Sequence, residues 1–210
     1  MIKSANLVTA LPTATIRILE QQGLEQGLPL MQRAGTCAAK FLHDRLKSSS
    51  HIVVLVGPGN NGGDALVAAT ELQRLGHTLT VVMPEAAPNA PSDAKQALMQ
   101  WLVTGGTVVA HLPSDQPAAV IDGLFGIGLS RALDKPWTNV IATINAWHSP
   151  VLALDIPSGI EADTGRVLGS PIQATWTLSF ITPSLASGLE TSRKFFGERF
   201  VEDLGLDVKQ

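Results

Sequence analysis

Ile52 to Val56 is the longest unbroken aliphatic run in the chain, and it leads directly into Gly57-Pro58-Gly59-Asn60-Asn61-Gly62-Gly63-Asp64. Such a run, without polar alternation, suits a strand buried on both faces, as in a parallel sheet. A glycine-rich turn after that strand and ahead of a helical pattern commits the chain to a strand–turn–helix unit. The pattern on both sides agrees. Residues 65–75 read as a helix ending at Gly76, 78–83 as a strand, and 92–104 as a helix capped by Ser92. Strands follow at 107–110 and 118–121, a helix at 137–147, and strands at 151–154, 176–180 and 199–202. Before them, Thr13 caps a helix from Ala14 to about Gln22, closed by Gly23. A second helix spans 29–46, where Leu30, Met31, Ala34, Ala38, Phe41, Leu42 and Leu46 recur at three- and four-residue steps. Alternation of this kind predicts a doubly wound α/β sheet with the N-terminal helices packed on one face.

At roughly 100–200 residues per domain, the 210 residues make one domain, 1–210. No repeat or low-complexity tract divides it, and residues 85–92 read as a strand-to-helix connection. With 45% hydrophobic and 16% charged residues, the chain can build a large core. The net charge of -3 provides no basic field for a nucleic acid. No stretch approaches the ~20 apolar residues of a membrane helix, and no signal peptide opens the chain. The lone cysteine, Cys37, has no internal disulfide partner, which fits a reducing, cytoplasmic setting.

In a doubly wound sheet, ligands bind outside the carboxyl ends of the strands. Three strand ends carry unusual turns: residues 57–64, residues 122–131 (DGLFGIGLSR) and residues 155–159 (DIPSG). All three are expected at one edge. Gly57, Gly59 and Gly62 fit the spacing G-x-G-x-x-G, and Glu85 lies roughly 20 residues further on, where an acid can hold a ribose hydroxyl. A turn alone would use glycine for backbone reasons, but two asparagines add nothing to a turn. Asp64 at the expected helix start competes with an anion there, so it reads as a cap or as a partner for neutral ligand groups. Asp122 and Asp155 each end an apolar strand. With amide and hydroxyl oxygens nearby they form an all-oxygen cluster suited to a hard cation, and its low formal charge favours a monovalent ion. Arg131 and Lys135 are candidate phosphate contacts. The five histidines show no metal-ligand spacing, Ser158 lies in no G-x-S-x-G elbow, and Cys37 reads as core.

The segments GPGNNGGD, DGLFG and DIPSG resemble the motifs of the YjeF N-terminal domain family, the NAD(P)H-hydrate epimerases. Leu30-Met31-Gln32-Arg33-Ala34-Gly35, Asp163-Thr164-Gly165 and Glu202-Asp203-Leu204-Gly205-Leu206 extend the resemblance over nearly the whole chain. It implies a Rossmann-like three-layer α/β/α sandwich that interconverts the R and S forms of NADHX and NADPHX, the hydrated forms of the reduced nicotinamide cofactors. It also implies a potassium ion, K+, held by Asn61, Asp122 and Ser158. The substrate contacts implied are Asn60, Asn61, Gly62, Gly63, Asp64, Gly126, Ile127, Gly128, Leu129, Ser130, Arg131, Ala132 and Asp155, with Asp155 as the catalytic group. An ADP- or ATP-dependent dehydratase, fused or separate, and a homodimer are further implied. Ala65 stands where the family usually has glycine, Gln32 where it often has glutamate, and a lysine common in the late strand region is absent from residues 181–185. The glycine spacing and Glu85 alone would also suit an NAD-dependent oxidoreductase, and the fold alone a non-catalytic binding module.

Overall fold

The computed structural model describes residues 2–206 and 208. Among them the elements are β1 (Lys3–Ser4), α1 (Thr13–Glu25), α2 (Leu30–His43), β2 (His51–Val56), α3 (Asn60–Arg74), β3 (Thr78–Val82), α4 (Ser92–Val103), β4 (Val108–Val109), β5 (Ala119–Gly123), α5 (Lys135–Ala146), β6 (Val151–Leu154), β7 (Trp176–Phe180), α6 (Glu190–Arg193) and β8 (Glu198–Glu202). They form one sheet in the order β1-β8-β7-β6-β5-β2-β3-β4. β1 runs antiparallel to β8, and every other pair is parallel. The order reverses at β2 and β5, where Val54 is in register with Val81 on one side and Ile121 on the other. This is the doubly wound α/β sheet expected, and its switch point lies at the carboxyl ends of β2 and β5.

The aliphatic run at β2 divides between two cores. Ile52, Val54 and Val56 face α2 and α3, while Val53 and Leu55 pack with Trp137, Ile141 and Ile144 of α5. All five strand residues are buried, which explains the missing polar alternation. Two glycines set the fit of α2 on α3: a Cβ on Gly35 would lie 2.4 Å from the Val67 Cβ, and one on Gly63 would lie 2.5 Å from the Met31 Cε. The Leu-Met and Ala-Gly pairs of α2 are therefore packing features. At the amino edge of the sheet, His43 Nδ1 and His77 Nε2 meet at 2.9 Å, a pairing that the sequence spacing did not reveal.

Several boundaries differ from expectation. α3 begins at Asn60, five residues before Ala65. Propensity argues against a first turn of Asn-Asn-Gly-Gly, but Gly62 must lie against the Gly57 carbonyl, where a Cβ would stand 2.1 Å from the oxygen. Asp64 is thus inside α3 and does not cap it. Ser92 is the first residue of α4, preceded by Pro91, and makes no cap bond. Gly23 lies within α1 against Leu30 and Leu206, and Gly27, with φ +74°, takes the left-handed turn beyond it.

Thr13 opens α1 but does not cap it. Its backbone N–H and its Oγ1 both donate to Asp163 Oδ1, at 2.7 and 2.9 Å. Leu11 N donates to the Pro183 carbonyl at 3.0 Å, and Thr182 Oγ1 to the Thr9 carbonyl at 2.6 Å. A carboxylate 150 residues away thus caps α1. Removing it by Asp163→Ala is expected to cost about 1 kcal/mol of stability, the usual loss for an N-terminal cap, seen as a lower urea midpoint with an unchanged slope.

Candidate active site

The three strand-end turns meet at the switch point. A Cβ on Gly57 would lie 1.6 Å from the Leu124 carbonyl oxygen, so the first and second turns touch through bare backbone. Asp122, fully buried at the end of β5, ties the second turn to the third. Its Oδ1 accepts from Leu124 N at 3.2 Å and Ser158 Oγ at 2.7 Å, and its Oδ2 accepts from Ser158 N at 2.9 Å. Ser158 Oγ in turn accepts from Phe125 N at 2.9 Å. Burial pushes Asp122 up to about 6, opposed by these hydrogen bonds from Ser158 and Leu124.

Asp155 follows β6 in a left-handed conformation, φ +66°, which aspartate tolerates better than most residues. Its Oδ2 accepts from Ile127 N at 3.2 Å and lies 3.0 Å from where a Gly126 Cβ would be. Burial raises it to about 6, against hydrogen bonds from the Ile127 and Phe180 amides. Ile181, after β7, also has a positive φ, +67°. For a β-branched residue this is a true outlier, the kind of strain that gathers at functional sites.

Asp155 and Ile181 border a cleft of about 680 Å³, within the ~300–1,000 Å³ of ordinary ligand sites. Its lining includes Asn60, Asn61, Asp64, Gly126, Ile127, Gly128, Leu129, Ser130, Arg131 and Asp155. Gly62 and Gly63 lie behind it, packed on Gly57 and Met31, and Ala132 falls outside the lining. Asp122 and Ser158 are fully buried and fall outside the lining. Lys135 starts α5 and Glu85 lies beyond β3; both are exposed and outside the cleft, so neither contacts a ligand in it. Phe180 and Ile181 line the part where residues 181–185 lack a lysine.

Asn61 supplies the clearest mark of a ligand. It is 8% exposed, yet neither its Oδ1 nor its Nδ2 has a hydrogen-bond partner. A buried amide without partners costs free energy comparable to lost hydrogen bonds. Its Cγ lies beside Gly126, close to Asp155.

The lining also includes residues that were not foreseen, above all Arg17 and Glu20 of α1. With Gln21 and Leu24 they form one face of that helix, and the Arg17 guanidinium lies 3.3 Å from where a Gly128 Cβ would be. The anchoring of α1 to later loops through Thr9, Leu11 and Thr13 brings them here, and no local motif announces it. Cys37 does not line the cleft, and burial pushes its thiol up to about 12.

The site thus belongs to a ligand-binding enzyme class: a doubly wound α/β sheet with a carboxylate-lined cleft at its switch point. The sequence model described as YjeF-related protein N-terminus matches residues 27–186. The chain belongs to that family. It is 48% identical over 195 residues to a Bordetella pertussis protein named NAD(P)H-hydrate epimerase, covering 91% of this chain and 86% of that one. It is 38% identical over 188 residues to a Leishmania braziliensis protein named bifunctional NAD(P)H-hydrate repair enzyme, covering 85% of this chain and 33% of that one. The crystal structure of the yeast protein YNL200c shares the fold, with a TM-score of 0.75 at 20% identity over 86% of this chain and 83% of that one.

Burial and the neighbouring Asp155 and Glu20 hold the Asp64 carboxyl well above its ordinary range. A carboxyl whose affinity for its proton rises on folding costs stability once pH climbs past its unfolded value. The unfolding free energy should therefore fall between pH 5 and pH 8. Asp64→Asn should flatten that slope and raise the denaturant midpoint at pH 8 but not at pH 4.

Proposed function

We propose that the protein is an NAD(P)H-hydrate epimerase, interconverting the R and S forms of NADHX and NADPHX, with 1–210 as one catalytic domain. The observation that carries this reading is the unpartnered Asn61 amide beside Asp155, in a cleft at the switch point, in a chain 48% identical to a protein of that name. Arg17 and Arg131 add positive charge to the cleft beside the DGLFGIGLS turn, a surface suited to a diphosphate.

Inversion at the hydrated nicotinamide carbon is not served by deprotonation there, because no carbonyl acidifies that C–H. Loss of water to an iminium-like cation, with return of water on the other face, is easier. Asp155, fixed by the Ile127 amide, is placed to stabilise that cation and to pass a proton. Asp155→Asn should leave the fold intact and cut the conversion of R-NADHX to the S form about 100-fold or more, followed by chromatography. Conversion at the parental rate would remove Asp155 from the reaction.

K+ is the ion the donor set fits: one amide, one hydroxyl and one carboxylate oxygen from Asn61, Ser158 and Asp122, with a single formal charge. Bound there, a monovalent cation would hold the three turns together and give the Asn61 carbonyl its missing partner. Potassium should raise the thermal midpoint above that in tetramethylammonium, and Asp122→Asn should abolish the difference.

The S form would pass to an ADP- or ATP-dependent dehydratase, fused or separate, as the bifunctional name of the Leishmania protein suggests. No helix among the described residues is long and apolar enough to cross a membrane, and a cytoplasmic, homodimeric enzyme is the setting proposed.

A further inference from the structure

Inversion by loss and return of water needs proton-handling groups on both faces of the ring. Asp155 follows β6, and Asp64 sits in α3, both at the carboxyl edge of the sheet. Glu20 borders the same cleft but comes from α1, the helix tied down by Asp163. It is half-buried and has no hydrogen-bond or ion-pair partner among the described residues, so its oxygens are free to meet a ligand. The buried, unpartnered Asn61 amide lines the same cleft and points independently to a ligand there.

Resting on the epimerase reading, we propose that Glu20 is the second proton-transfer group of the reaction, acting on the ring face opposite Asp155. In one direction the Glu20 carboxylic acid gives its proton to the departing hydroxyl. The carbon–oxygen bond breaks, water leaves, and the ring nitrogen lone pair forms the iminium bond. Water then adds to the other face and yields a proton to the Asp155–Asp64 side. In the reverse direction Glu20, as carboxylate, takes the proton of the water that adds on its own face. The net movement is one proton from one side to the other, restored by exchange with solvent.

The electrostatics agree. Glu20, Asp64 and Asp155 share one cleft, and such a set cannot all ionise together at neutral pH. Burial and the charge of Asp155 push Glu20 up to about 7, while Arg17, three residues away on the same helix, pulls it down. Asp93 of α4 and Arg131 also border the cleft and complete its charged groups. An acid with this affinity gives and takes protons near neutral pH with equal ease. α1 lies outside residues 27–186, the span that the family model matches.

Glu20→Gln keeps shape and removes the titrating group. We expect it to fold, to keep KM within about threefold, and to lose kcat by about 100-fold. It should also lose the limb of the parental pH–kcat profile near neutrality. The Glu20 carboxyl carbon, followed by NMR in the substrate-free protein, should titrate between pH 6 and 8. An active parent whose kcat and pH profile survive in Glu20→Gln, a loss confined to KM, or a titration midpoint below 5 overturns this inference and leaves the epimerase reading standing. A parent inactive on both epimers overturns the epimerase reading and this one with it.

Discussion

The architecture of the site rests on one buried carboxylate. Asp122 ends β5 and accepts three hydrogen bonds, two of them from Ser158 on the far side of β6. Those bonds fix where the DIPSG turn lies, and through it where Asp155 points. The Ser158 hydroxyl passes the constraint back to Phe125, so the second turn is held at two places. A carboxylate in that position is costly to bury, and only the density of donors around it keeps the arrangement favourable. The bare approach of Gly57 to the Leu124 carbonyl then brings the first turn against the other two.

Much of this was legible in the sequence. The unalternating run of β2 announced a parallel sheet, and the residues that end β2, β5 and β6 announced where its ligand edge lies. That edge is set by local rules, because a strand buried on both faces leaves its polar residues only at its ends. Reading failed where tertiary contact overrode local preference. Asn60 to Gly63 look like a loop by propensity, yet the helix begins there, since Gly62 and Gly63 must fit against Gly57 and Met31. Arg17 and Glu20 were missed because their place depends on Asp163, far along the chain. The pairing of His43 with His77 was invisible for the same reason.

The cleft also shows how a stable fold tolerates an unfavourable centre. Two large aliphatic cores, one on each face of the sheet, anchor the strands. At their carboxyl ends the chain accepts a strained isoleucine, a left-handed aspartate, an amide without partners and four carboxyls raised above their ordinary range. Each is unfavourable alone, and their gathering in one place is what separates a ligand site from a surface hollow.

The floor and the covering helix of this cleft are held by separate sets of bonds. Asp122 and Ser158 organise the floor, whereas α1 is fastened through Thr13, Leu11 and Thr9 to later loops. Relatives could therefore exchange Arg17, Gln21 and Leu24 around Glu20 while keeping the same foundation. Selectivity among related coenzymes would drift most freely at those three places, and two enzymes with superimposable sheets could differ in which damaged nucleotide they repair.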